Sequence, residues 1–347
     1  MPKIRNQGDK AKSMTIRIDE KSIFEAIKRR KPRSVALNGP EALIPKLQDV
    51  SDHIGQIFGI PVYLIGDTCW GSCDLNTHAA DMLSADVLFN VGHTIAMDTF
   101  GERVIMIAAF DDIDFDVIAN KCARDLLGKY KTVSLVTDSQ HLHQIDKVKK
   151  IFETHGYTII IGRGRGQLRD AQVFGCEFYP AYNVQKQVDA YIFLGQSMFH
   201  SASVALSTEK PTIMLDPYFQ EYSEVNEFAQ SMQKKAILSI YKAIDAERIG
   251  IIIGLKEGQF AHVRAIELKK EFEKLHKKVQ MIALTEITEE RIQVFKGIDA
   301  FVQVACPRIG TDNHFKKPML SVPQALSLIK ILKKEPIGDF LRVQHWL

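Results

Sequence analysis

The sequence predicts an α/β protein made of three similar domains, and two internal repeats carry that prediction. In the first repeat an apolar strand, an amphipathic helix and a second apolar strand follow one another, beginning at Ser34, Thr132 and Arg248. In the second repeat an Asp precedes an apolar strand that ends on a small residue, as in ADVLFNVGH, VDAYIFLGQ and IDAFVQVAC. Recurrence of this kind indicates one structural unit used several times.

The helix of the first repeat is predicted from the spacing of its apolar residues. Steps of 4, 3, 4 and 3 place five of them on one helical face, namely Leu43, Leu47, Val50, Ile54 and Ile57. The flanking strands are continuous apolar runs rich in Val and Ile, which suits parallel strands buried on both faces. With right-handed crossovers, these units give Rossmann-like domains with small parallel sheets, arranged around a pseudo-threefold axis.

The domain boundaries are predicted from where the repeats end. The first domain spans residues 1–128 and includes a basic N-terminal arm, the second spans 129–240, and the third spans 241–347. The stretch 222–247 has helical spacing without Gly or Pro, so we expect one helix there that bridges the second and third domains.

Composition restricts the class of protein. The chain has 347 residues, 46% of them hydrophobic and 25% charged, which is typical of a soluble globular protein and excludes disorder. No apolar run approaches the roughly 20 residues that a bilayer requires, and no signal peptide begins the sequence, so we expect a cytoplasmic protein. Residues 1–33 hold 11 Lys/Arg and 4 Asp/Glu. We interpret this arm as a solvated helix end with a tail, and do not expect direct nucleic-acid binding.

The five cysteines do not indicate a disulfide framework, because their number is odd and no leader precedes them. Cys73, Cys176 and Cys306 follow strands of the first, second and third predicted domains. Three domains packed around an axis would bring these cysteines to a central crevice. Three thiolates there predict an iron–sulfur cluster with one open iron, or alternatively three inert buried thiols. Cys122, in a predicted helix, is expected to be structural.

Several motifs then resemble one family. GDTCWGSCD, RDAQVFGC, VDAYIFLGQSMFHSASVAL, PTIMLDP and VACPR followed by Asp312 are similar to motifs of the diphthamide-synthesis radical enzymes, in their archaeal homodimeric form. The resemblance implies transfer of a 3-amino-3-carboxypropyl group from S-adenosylmethionine to a histidine of translation elongation factor 2. It implies a [4Fe-4S] cluster held by Cys73, Cys176 and Cys306, and an electron donor of unknown identity. Cys69 has no role in that pattern.

The residues after the repeated strands are candidates for the S-adenosylmethionine pocket. Gly92 and Gly195 would allow a cofactor to approach the backbone closely. The polar residues that follow the strands either line the pocket or cap the loops, and they are His93, Gln196, Ser197 and His200. Arg308 either binds the methionine carboxylate or forms an interdomain ion pair. Asp216 is expected to shape its loop.

Other functions stay open at this level. A quinolinate-synthase-like condensing enzyme also has three α/β domains around a three-cysteine cluster, but the motifs fit it poorly. The chain could instead be a non-catalytic subunit that delivers electrons, or a small-ligand binding protein with inert thiols. Cleavage of S-adenosylmethionine by the reduced protein separates the condensing enzyme from the family function. The presence of all three cysteines favours a catalytic chain, and a brown protein with cluster absorption would exclude the binding protein.

Overall fold

The structure is a computed structural model that describes residues 16–96, 99–312 and 315–346. The first part of the chain forms β1 (Ile16–Ile18), α1 (Glu20–Arg30), β2 (Val35–Asn38), α2 (Ile44–Phe58), β3 (Val62–Leu64), α3 (Thr77–Met82), β4 (Val87–Val91), β5 (Thr99–Phe100), β6 (Val104–Ile107), β7 (Ala109–Asp111) and α4 (Asp116–Asp125). Its main sheet has the order β3-β2-β4-β6-β5, parallel except for β5, while β1 and β7 pair separately and antiparallel.

The second part forms β8 (Thr132–Thr137), α5 (Ile145–Thr154), β9 (Thr158–Ile160), α6 (Tyr179–Val184), β10 (Ala190–Leu194), α7 (Met198–Thr208), β11 (Thr212–Asp216), β12 (Glu221–Glu224) and α8 (Asn226–Lys242). The sheet order is β12-β11-β10-β8-β9, parallel except for β12. The third part forms β13 (Arg248–Gly254), α9 (His262–Lys274), β14 (Lys278–Leu284), α10 (Glu289–Ile292), β15 (Ala300–Gln303), α11 (Pro307–Asp312), β16 (Met319–Leu320) and α12 (Val322–Leu332). Its sheet, β14-β13-β15-β16, is parallel throughout. The predicted α/β fold is therefore confirmed.

An aspartate makes equivalent hydrogen bonds at the start of two neighbouring strands in each of the three main sheets. The carboxylate of Asp86 accepts the amide of Arg33 just before β2, at 2.7 Å. Asp189 accepts the amide of Thr132 at 2.8 Å, and Asp299 accepts that of Arg248 at 2.9 Å. Each Asp amide in turn donates to a carbonyl at the start of the neighbouring strand. The Asp of the second sequence repeat therefore ties β4, β10 and β15 to the first strand of the other repeat, which is β2, β8 and β13 respectively.

Two predicted elements differ in the structure. Ile57 was expected on the buried face of α2, but it is 58% exposed, because Phe58 turns inward instead and packs against Phe24. The predicted helix over 222–247 begins at Asn226. Residues 221–224 form strand β12, which pairs with the edge of β11 and satisfies its backbone groups.

The division of the chain at residues 128 and 240 stays a prediction. Helix α4 precedes residue 128, yet its buried face, including Ile118 and Cys122, packs in one core with strands β8 and β10. Lys28, Arg29 and Arg30 of the basic arm form the last turn of α1, while residues 1–15 lie outside the described part of the chain. In the described residues, no helix combines the length and apolar character needed to cross a membrane.

Candidate functional site

Three loops from three sheets bring the predicted cluster cysteines together. Cys73 lies between β3 and α3, Cys176 between β9 and α6, and Cys306 between β15 and α11. Burial raises the pKa of Cys176, and the charges of Cys306 and Cys73 raise it further. Burial also raises the pKa of Cys306, with Cys73 again contributing. The three sulfurs are thus close enough to act on one another's ionisation.

The spacing of these thiols matters for what they could hold. Within residues 16–96, 99–312 and 315–346, no group of three His, Cys, Asp or Glu side chains is placed to bind one metal ion. In a [4Fe-4S] cluster each cysteine ligates a different iron, so the ligands stand farther apart than those of a single ion. Three cysteine thiols are the donor type that holds an iron–sulfur cluster, so the residues present fit such a group.

The Cys73 loop is packed against a loop of the third part of the chain, residues 256–259. The amide of Gly258 donates to the Cys73 carbonyl at 3.0 Å. A Cβ on Gly258 would lie 2.5 Å from the Cys73 Cα, so this approach requires glycine. The side-chain amide of Gln259 lies 3.4 Å from the Cys73 sulfur and donates to it.

A buried ion pair fixes the same contact. The Lys256 ammonium lies 2.6 Å from Asp74 and 2.7 Å from Glu286. Burial works to lower the pKa of Lys256, but the two carboxylates outweigh it and the net direction is upward, so the lysine stays charged. Burial raises the pKa of Asp74, against the opposing effect of Lys256. Asp74 adjoins Cys73 in sequence, so the pair anchors the cysteine loop.

The Cys176 loop is held from two sides. The amide of Trp346 donates to the Cys176 carbonyl at 2.9 Å, and the buried Trp346 ring packs edge-on against Phe178. On the other side, Ser203 of α7 donates to the Gly175 carbonyl at 3.1 Å. The segment near the C-terminus thus supports a loop some 170 residues earlier in the sequence.

Cys306 lies directly before α11. The amides of Arg308 and Ile309 act on its thiol and partly offset the effect of burial on its pKa. The Arg308 guanidinium stacks 5.5 Å above the Phe199 ring, which joins α11 to α7. The sequence predicts that Arg308 binds either the methionine carboxylate of S-adenosylmethionine or an acidic side chain of another domain. The structure shows a cation–π contact between α11 and α7, and both carboxylate binding and the ion pair stay predictions.

The remaining two cysteines have different surroundings. Cys69 is buried beside Asn38, whose amide lies 3.4 Å from its sulfur, and His93 Nδ1 is 3.8 Å away. Burial raises the pKa of Cys69 to about 12. Cys122 is fully buried on α4 in an apolar core, as expected of a structural thiol.

The residues after β4 and β10 include two glycines in the left-handed region and two buried histidines. Gly92 and Gly195 adopt φ values of +98° and +130°, which explains the small residues after β4 and β10. Burial lowers the pKa of His93 to about 4, and the charge of His200 lowers it further, while Asp138 acts in the opposite direction. Burial likewise lowers the pKa of His200, again against Asp138. Both histidines are therefore neutral at pH 7, and the charge of Asp138 acts on each of them.

The other predicted pocket residues make local contacts. Ser197 caps α7 by accepting the amide of His200 at 3.2 Å. Gln196 donates to Asp216 at 3.3 Å, and Asp216 accepts the amides of Tyr218 and Phe219, which shapes the loop as expected. The Nδ1 atom of His200 is buried without a hydrogen-bond partner. A role of these residues in ligand binding stays a prediction.

Sequence reasoning missed Asp74, Asp138 and the segment 256–259. The signal for Asp138 and for segment 256–259 was their position after the first strand of a repeat, where VTDSQ and GLKEGQ occupy corresponding places. Polar residues at such strand ends are where α/β proteins place binding groups.

The comparisons with known proteins address this arrangement. The family model for diphthamide synthesis protein matches residues 39–338. The chain belongs to the diphthamide synthesis family. The 2-(3-amino-3-carboxypropyl)histidine synthase of Pyrococcus horikoshii is 26% identical, with 92% of each chain covered. Subunit 1 of the synthase of Schizosaccharomyces pombe is 26% identical, covering 88% of this chain and 72% of the relative.

A solved family member gives the structural comparison. The crystal structure of Dph2 from Pyrococcus horikoshii with a 4Fe-4S cluster matches with a TM-score of 0.83 and 25% identity over 96% of both chains. The family resemblance, the three-domain α/β fold and the assignment as a transferase of diphthamide synthesis are thereby confirmed. The relative's structure supports an iron–sulfur cofactor in this member of the diphthamide synthesis family.

Proposed function

We propose that this protein carries out the first step of diphthamide biosynthesis, transferring the 3-amino-3-carboxypropyl group of S-adenosylmethionine to a histidine of translation elongation factor 2. The observation that carries the proposal is the meeting of Cys73, Cys176 and Cys306 from three separate sheets, in a fold that matches a relative solved with a 4Fe-4S cluster. These cysteines are the proposed ligands, which leaves one iron open. A reduced cluster supplies the electron that cleaves the Cγ–S bond of the sulfonium.

The residues around the thiols suit a cationic cosubstrate. Burial keeps His93 and His200 neutral, so neither repels a sulfonium, while Asp138 adds negative charge nearby. The unpartnered Nδ1 of His200 is free to accept or donate a hydrogen bond to a bound molecule. Gly92, Gly195, Gln196, Ser197 and Arg308 complete the proposed pocket.

The decisive experiment identifies the product. The anaerobically reconstituted protein is incubated with S-adenosylmethionine, dithionite and elongation factor 2, and the small products are separated by chromatography. We expect 5′-methylthioadenosine and a modified elongation factor. Formation of 5′-deoxyadenosine as the main product would reject the proposed bond cleavage, and no cleavage at all would favour a condensing enzyme or an electron-delivering subunit.

The ligand assignment is tested with single alanine variants. Cys73→Ala, Cys176→Ala and Cys306→Ala should each lose most of the bound iron, because a cluster with two protein ligands is held weakly. Cys122→Ala is the matched control and should keep wild-type iron. If Cys69→Ala strips the iron while Cys73→Ala keeps it, Cys69 is the ligand in the first loop.

The assembly is proposed from the family pattern. We propose a homodimer that receives electrons from a separate donor protein. Light scattering of the reconstituted enzyme should give twice the mass of the 39.2 kDa chain, and a monomer at working concentration would reject the homodimer.

A further inference from the structure

The loop at residues 256–259 reaches from the third sheet to the sulfur of Cys73. We propose that Gln259 is a positioning residue for Cys73, donating a hydrogen bond from its side-chain amide to the Cys73 sulfur and thereby raising the reduction potential of the cluster. The inference rests on the proposed function, in which Cys73 is a cluster ligand. In this role, Gln259 adjusts the reduction potential of the cluster without being a ligand.

The contact is direct and buried. Gln259 Nε2 lies 3.4 Å from Cys73 Sγ, and the Gln259 residue is 9% exposed. The amide of Gln259 donates to the Lys256 carbonyl at 3.0 Å, so its backbone is fixed by a tight turn. A buried N–H facing a sulfur is shielded from water, which would otherwise compete for it.

Three anchors hold this donor in place. Lys256 pairs with Asp74, and the amide of Gly258 donates to the Cys73 carbonyl. The Glu257 carboxylate accepts the amide of Thr77 at 2.7 Å, at the start of α3. The anchors bind Cys73 itself and two residues that follow it, Asp74 and Thr77, so they hold the amide of Gln259 close to the Cys73 sulfur.

Among the residues that the structure describes, no side chain donates a hydrogen bond to the sulfur of the other two proposed ligands. Cys306 is approached by the backbone amides of Arg308 and Ile309, and Cys176 by its own amide. The Cys73 donor is a side chain from another domain, so a substitution can remove it without altering the backbone. A hydrogen bond to a ligating sulfur withdraws electron density and favours the reduced, more negative cluster. Its removal should make the cluster harder to reduce.

The test measures the potential itself. Gln259→Leu removes the donor at similar volume, and Gln259→Glu replaces it with a carboxylate oxygen of the same shape. Both variants of the full chain are reconstituted anaerobically, their iron and sulfide are quantified, and the cluster is titrated by electron paramagnetic resonance. We expect wild-type iron content with a midpoint potential shifted to more negative values, and a larger shift for Gln259→Glu than for Gln259→Leu.

The control is another buried glutamine that joins two domains. Gln172 is fully buried and donates to the Thr94 carbonyl at 2.8 Å rather than to a sulfur. Gln172→Leu should leave the potential unchanged. If both Gln259 variants keep the wild-type potential with a full cluster, the inference is overturned. Loss of iron from both would also overturn it, because Gln259 would then be needed to hold the cluster rather than to set its potential.

The result separates this inference from the function beneath it. If Cys73→Ala keeps a wild-type cluster and potential, the ligand assignment of the proposed function has failed. If Cys73→Ala loses the cluster while the Gln259 variants keep the wild-type potential, only the role of Gln259 is rejected.

Discussion

The two boundaries of the first sheet region are built differently. Toward the third sheet, the contact is ionic and buried, with Lys256 against Asp74 and Glu286. At the end of β4, toward the second sheet, two neutral side chains donate to backbone carbonyls, Gln172 to that of Thr94 and Ser139 to that of Gly92 at 3.0 Å. The ionic boundary adjoins Cys73, whereas the neutral boundary adjoins the strand end at Gly92.

The difference determines how much a single substitution at each boundary lowers the stability of the fold. A buried charge that loses its partner is left in a poor environment, so the ionic boundary is sensitive to single substitutions. Neutral amides on backbone carbonyls lose less when one partner is removed. A single substitution is therefore expected to weaken the contact beside Cys73 strongly, and the contact beside Gly92 less.

The largest effect is expected at the ionic boundary. Lys256→Met leaves Asp74, which is 1% exposed, without its cation and should lower the free energy of unfolding by about 3–5 kcal/mol. Urea denaturation at pH 7 measures it. The control is Lys21→Met, which removes an exposed pair with Glu25 and should cost less than about 1 kcal/mol. An equal decrease in the free energy of unfolding of both variants would contradict a larger contribution from the buried pair.

A smaller effect is expected at the neutral boundary. Gln172→Leu removes the hydrogen bond to the Thr94 carbonyl and the one from the Arg169 amide, and should lower the free energy of unfolding by about 1–3 kcal/mol. Gln187→Leu, at an exposed position, is the matched control and should be close to neutral. A loss as large as that of Lys256→Met would remove the contrast between the boundaries.

The smallest effect depends on pH. Burial works to raise the pKa of Glu257, but hydrogen bonds from Thr77 and Leu75 outweigh it, so the pKa is lowered. A carboxyl whose pKa is lowered by folding stabilises the folded state at pH values above its pKa in the unfolded chain, near 4.3. That contribution is lost as the pH falls through the pKa of the folded state. Glu257→Gln should lower stability by about 1 kcal/mol at pH 7, and by less at pH 3. Parallel pH profiles for the two proteins would contradict this prediction.

Much of the fold was predictable because it follows from local pattern. The apolar steps of α2 and the Asp-strand-small-residue repeat are properties of consecutive residues, and both appear in the structure apart from Ile57. The start of α8 was not predictable, because residues 221–224 have helical spacing and become a strand through pairing with β11.

In the candidate site, only the convergence of the three cysteines was predictable. Their placement after repeated strands indicated convergence, since parallel strands end at one edge of a sheet. Asp74, Lys256 and Gln259 act across a boundary between residues some 180 positions apart, and no spacing in the sequence pairs them. Arg308 shows the same limit, because its contact with Phe199 depends on how two helices are packed.

The three Asp bridges also define which positions correspond between the sheets. Counting from Asp86, Asp189 and Asp299, the seventh residue is His93, Gln196 and Cys306. Cys306 therefore corresponds to a histidine and a glutamine, while Cys73 and Cys176 lie after a different strand in their own sheets. A scaffold of three similar sheets thus carries three thiols that do not occupy corresponding positions. Such a site presents three chemically distinct sides, so an asymmetric substrate can be bound in one orientation.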